Sequence, residues 1–166
     1  MKIKKDRGFT LIELLVVIAI IGILSAVVLT SLTTAGDKGA DAAIKSNLDT
    51  IRSQAAIYYF NNNNRFATPT TFTAGLCSTT PAGNLFADPV IQAAIKEANL
   101  RAGGTQAATY SLARCSTSAK TFAVVVSLNG GGGWCVDSTN VAKRTVAAAT
   151  AAGSISPATT LGLCGP

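Results

Sequence analysis

Between Phe9 and Gly36 the chain carries a single charged side chain, Glu13. The residues around it are almost wholly apolar, and positions 14–29 read LLVVIAIIGILSAVVL. As an α-helix, residues 9–35 would extend ~40 Å, more than the ~30 Å hydrocarbon core of a bilayer. A helix that is apolar all round must be buried in protein or lipid. A membrane-inserting helix is therefore the first element this chain is expected to build. Lys2, Lys4, Lys5 and Arg7 precede it. By the positive-inside rule they stay cytoplasmic, which puts the remainder of the chain outside. A carboxylate within such a helix costs on the order of 3 kcal/mol and ordinarily has a partner.

The overall charge supports the same division. The formal net charge is +6, but from position 9 onward ten basic and seven acidic residues remain, a net of +3. The basicity belongs largely to the leader, and a phosphate-tracking surface gains little support from it. Only 13% of residues are charged, against roughly 25% in average soluble domains. That deficit fits a chain partly in lipid and partly in a weakly charged outer domain. The four cysteines, Cys77, Cys115, Cys135 and Cys164, all follow the apolar segment. None forms a C-x-x-C pair, so two disulfides in an exported domain is a better reading than a zinc site.

Three readings compete for the N-terminal segment. A secretory signal peptide would be cut near Ala35, where small residues cluster without a convincing A-x-A site. A plain membrane anchor accounts for the apolar run and its flanking charges. It leaves Glu13 and the abrupt Gly8–Phe9 boundary unexplained. The third reading accounts for both. The string Arg7-Gly8-Phe9-Thr10-Leu11-Ile12-Glu13-Leu14 resembles the processing motif of type IV prepilins and type II secretion pseudopilins. The resemblance implies a membrane-embedded prepilin peptidase that cuts after Gly8 and methylates the new amine of Phe9. The conserved glutamate of that family falls on Glu13. In a packed bundle each Glu13 would pair with the Phe9 amine of a neighbouring subunit, and a subunit out of register would leave a buried charge unpaired. Many pilins have proline about where Thr30 stands, and Thr30 forces no kink.

Past Gly36 the pattern becomes amphipathic. Ile44, Leu48, Ile51, Ala55 and Tyr58 form one helical stripe, with Asp37, Asp41, Lys45 and Arg52 off it. That stripe is the face onto which a sheet should pack. The asparagine run at 61–64 ends the helix, and the segment from Ile57 to Pro69 is similar to the end of the long helix in small pilins. Residues 9–61 would form a helix ~80 Å long. Residues 65–87 read as loop. Asp88-Pro89 reads as an N-cap with proline at the first helical position, opening a helix over 90–100 that Gly103-Gly104 stops. Strands are expected over 109–114, 121–128, 134–137 and 144–148, with the glycines 130–133 as a flexible turn. No Gly-Lys-Ser/Thr follows those glycines, so they form no phosphate loop. The tail after the last strand is Ala/Thr-rich, and Cys164 ties it down.

The expected fold is α+β: a long N-terminal helix, half transmembrane and half amphipathic, packed on a small antiparallel sheet as in pilins. The expected organisation is a cleaved leader, 1–8, an apolar helix half, 9–35, and an exported domain, 36–166. Trp134-Cys135-Val136-Asp137-Ser138 is similar to the C-terminal strand of pilin-like proteins. Of the three possible disulfide pairings, Cys77–Cys115 with Cys135–Cys164 is the favoured one.

An enzymatic role finds no support. The chain has no histidine, its acids are scattered, and Asp88 and Glu97 read as a solvated helix face. No cofactor or metal is expected. The leading function is a structural subunit of a type IV pilus-like filament. The expected partners are other pilin-like subunits, the prepilin peptidase, an inner-membrane assembly platform, and membrane lipid before assembly. A type II secretion pseudopilin is the nearest alternative. A membrane-anchored binding module, an adhesin or a DNA-uptake receptor, is the alternative of another class. Arg101, Arg114, Lys120, Lys143 and Arg144 would be its basic residues, and nucleic-acid binding would want stacking aromatics beside them.

Overall fold

The computed structural model describes residues 9–68, 73–78, 83–106, 109–145 and Cys164. The leader with Gly8, residues 146–148 of the last expected strand, and the tail apart from Cys164 lie outside the described residues. The fold is α+β, a long apolar N-terminal helix and a five-stranded antiparallel sheet, the pilin-like arrangement. The chain divides into two compact units, Met1–Gly36 and Asp37–Pro166. The first helix, α1, spans Leu11–Asn61 and contributes to both.

In the first unit every described side chain is exposed. The threonines near its end do not break the helix. The Thr30 hydroxyl donates to the carbonyl of Val27, and those of Thr33 and Thr34 donate to the carbonyl of Thr30. Such back-bonds satisfy the hydroxyls within the helix itself.

In the second unit α1 buries Ile44, Leu48, Ile51 and Ala55 completely or nearly so, and Tyr58 packs half-buried at the stripe's end. The helix closes where the asparagines begin. Asn63 and Asn64 take positive φ of 53° and 56°, and the Asn64 N–H donates to the Tyr59 carbonyl at 2.9 Å. Asparagine tolerates that left-handed backbone better than most residues.

The sheet is a meander in chain order: β1 (Thr73–Ser78), β2 (Thr109–Thr117), β3 (Phe122–Ser127), β4 (Gly133–Asp137) and β5 (Ala142–Thr145). A short 3-10 helix, Leu85–Ala87, and α2 (Pro89–Arg101) lie between β1 and β2. Asp88 caps α2, its Oδ1 accepting from Val90 N and Ile91 N at 2.9 and 3.2 Å, with Pro89 at the first position. Alternation assigns the sheet's two faces. Phe122, Val124, Val126 and Val136 share one core with the α1 stripe and with Ile91 and Ile95 of α2. Ala123, Val125 and Cys135 form a smaller cluster on the opposite side, against which Cys164 packs. β3 is thus buried on both faces, and burying each valine or isoleucine contributes about 1.5–3 kcal/mol. Burial also holds the Tyr110 phenol above its ordinary pKa.

Residues 73–78 correct the reading of 65–87 as loop. Thr73–Ser78 is a strand, paired antiparallel with β2 and broken by a register shift between Leu76 and Ser78. Its sequence, TAGLCS, has little strand propensity of its own. Pairing with β2 and the Cys77–Cys115 disulfide hold it there. The second disulfide joins Cys135 to Cys164, and no cysteine is free.

The glycine turn between β3 and β4 is gripped from two sides. Asp41 accepts from Asn129 N at 2.7 Å and from Gly130 N at 3.1 Å. The Arg144 guanidinium donates to the carbonyls of Gly130 and Gly131 at 2.8 and 2.7 Å. Gly131 and Gly132 have φ of +85° and +70°, which only glycine adopts without strain.

Candidate assembly site

The helix begins at Leu11 with Thr10 just outside it and Glu13 at its third position. Glu13 Oε2 accepts from Thr10 N at 2.9 Å and from the Thr10 hydroxyl at 2.7 Å, while Glu13 N donates back to Thr10 Oγ1 at 3.4 Å. These reciprocal bonds form a capping box, which satisfies donors the first helical turn would otherwise leave bare. The signal was present in the sequence as T-x-x-E ahead of an apolar run. The early carboxylate also lies where the helix dipole favours negative charge. Among the described residues, then, Glu13 has a local partner in Thr10, and no hydrogen bond or ion pair joins it to a cation.

Phe9, beside this cap, is 84% exposed. Beyond it an 18-residue window of α1 has mean hydropathy 3.0 and no buried residue, and the helix is long and apolar enough to cross a membrane. The site therefore combines a capped helix start, one carboxylate, and an exposed apolar surface.

Residues 3–29 match the family model of the prokaryotic N-terminal methylation motif. That match covers Phe9, Thr10 and Glu13. The N-terminus therefore carries a prokaryotic N-terminal methylation motif. Over 60 residues the chain is also 40% identical to the type IV wide pilus major component PilA4 of Thermus thermophilus. That similarity covers 36% of this chain and 46% of the relative, so the match spans less than half of the relative's length. No solved structure matches the chain. The methylation motif and the apolar helix together fit a membrane-anchored pilin.

The remaining sequence candidates are used within this pilin-like fold. Asp88 caps α2, and its Oδ2 accepts from Gln54 Nε2. The nearby carboxylate and burial, burial foremost, raise the pKa of Tyr58. Glu97 pairs with Arg101 at 2.7 Å. Arg144 serves the glycine turn. Arg114 and Lys143 occupy one row across the sheet, with Val125 and Cys135 between them. Lys120 donates to Tyr59 Oη and to the Asn64 carbonyl, its ammonium 5.3 Å from the Tyr59 ring centroid. The fold thus brings an aromatic ring to Lys120 that sequence order kept 61 positions away, but the contact is internal.

Proposed function

We propose that the chain is a structural subunit of a type IV pilus-like filament, made as a prepilin, cut after Gly8 and methylated on the amine of Phe9. One observation carries this reading: an exposed apolar helix surface begins at a single carboxylate four residues after Phe9. Lipid covers that surface before assembly, and neighbouring subunits cover it afterwards. Cleavage would leave a cationic amine on Phe9, one residue before the cap. In the bundle, Glu13 exchanges its bond to Thr10 for the amine of a neighbour, and the pairing fixes axial register. Removing one member of a buried charge pair costs about 3–5 kcal/mol. The leader and the apolar half of α1 then act in processing and assembly, and residues from 36 on form the exported domain. The prepilin peptidase and an inner-membrane platform are the partners this route requires. The name of the Thermus relative, a pilus component, favours a surface pilus over a secretion pseudopilus.

Glu13→Ala tests the pairing. The variant should insert and be processed normally, yet filament yield by electron microscopy should fall to background. Filaments at normal yield would refute the register role.

A further inference from the structure

We infer that Asp137 is the docking residue for Cys164: its buried carboxylate holds the Cys164 backbone beside Cys135 and so directs closure of the Cys135–Cys164 disulfide. Asp137 is 1% exposed and Cys135 is fully buried. They stand two residues apart on β4 and therefore share a face. Across that face they lie opposite Ala123 and Val125, the residues against which Cys164 packs.

The two carboxylate oxygens have different work. Oδ1 accepts from Thr139 N at 2.8 Å, the Thr139 hydroxyl at 2.6 Å and Val141 N at 3.3 Å. Those bonds shape the turn between β4 and β5. Oδ2 accepts from Cys164 N at 3.1 Å. Burying a charge without a cationic partner is costly unless strong donors surround it. The turn alone would need only Oδ1, whereas Oδ2 is aimed at a residue 27 positions further along.

The other bridge has no such need. Cys77 and Cys115 sit on β1 and β2, strands that pair with each other, so sheet formation itself brings them together. Cys164 lies beyond β5, and among the described residues no strand pairing delivers it to Cys135. The carboxylate supplies that contact. With glutathione disulfide as oxidant, one cysteine thiolate attacks it and releases a glutathione thiolate. The second cysteine thiolate then attacks the mixed disulfide and releases another. Two protein thiols are oxidised and one small disulfide is reduced to two thiols. Docking acts by raising the concentration of Cys164 at Cys135.

The full chain in detergent micelles is reduced, equilibrated in a glutathione redox buffer, quenched, and mapped by mass spectrometry of its peptides. In Asp137→Asn the formation constant of Cys135–Cys164 should fall about tenfold, the loss of one charge-assisted hydrogen bond, while that of Cys77–Cys115 stays unchanged. Thr139→Val, which removes an Oδ1 donor and leaves Oδ2 alone, should leave both constants unchanged. The inference is overturned if Asp137→Asn leaves Cys135–Cys164 as stable as before, or weakens both bridges together. It is equally overturned if Thr139→Val weakens Cys135–Cys164 as much as Asp137→Asn does.

Discussion

The two stretches of α1 use the same secondary structure for opposite ends. From Leu11 to Gly36 the helix is apolar on every side and buries none of its side chains. From Asp37 to Asn61 it is amphipathic and buries one stripe, Ile44, Leu48, Ile51 and Ala55. Hydrophobicity alone therefore does not say what a helix is for. A stripe points to a core within the chain, whereas an apolar cylinder points to a partner outside it, lipid or another subunit. In the proposed filament Glu13 sets the register of the first stretch, whereas Asp41, Lys45 and Arg52 flank the buried stripe of the second.

Substitutions should separate the two stretches sharply. Leu48→Ala should cost the second unit about 2–5 kcal/mol, the usual range for a cavity in a packed core. Guanidinium unfolding of the full chain in detergent, followed by the single tryptophan Trp134, would measure it. Leu24→Ala should move the same curve by less than about 0.5 kcal/mol. Equal effects at both positions would break the distinction.

How far this was legible in the sequence follows the same division. The motif from Gly8 to Glu13, the stripe from Ile44 and the Asp88-Pro89 cap each depend on residues close together in the chain. Their chemistry is local, and the structure shows the helix, the stripe and the cap where local rules put them. β1 was missed because its pairing comes from β2 and from Cys77–Cys115, a contact 38 residues apart. The grip of Asp41 on the glycine turn spans 88 positions and left no local signal. The capping box at Thr10, by contrast, is local, a T-x-x-E ahead of an apolar run.

Removing the Cys77–Cys115 bridge by a double substitution to serine should lower stability by about 2–4 kcal/mol in the same unfolding assay. Amide exchange of residues 73–78 should rise more than that of β3, since among the described residues β1 is an edge strand paired only with β2. Uniform acceleration across the sheet would mean that β1 is not held by that bridge in particular.

A smaller effect separates the two roles of Glu13. Thr10→Val removes the capping hydroxyl and should cost about 1 kcal/mol, confined to the first helical turn. Faster amide exchange at residues 11–13 would report it, with the Trp134 unfolding curve unmoved. Filaments should still form, because the carboxylate that pairs with a neighbour is retained. Loss of filaments in this variant would make capping, not pairing, the function of Glu13.

Mass spectrometry of the protein recovered from the membrane and from filaments tests the central claim most directly. A mature chain that starts at Phe9 and carries one added methyl group on its amine is the expected result. A chain that still begins at Met1, or one that begins near Ala35, would contradict it, because neither would place a cationic amine beside Glu13.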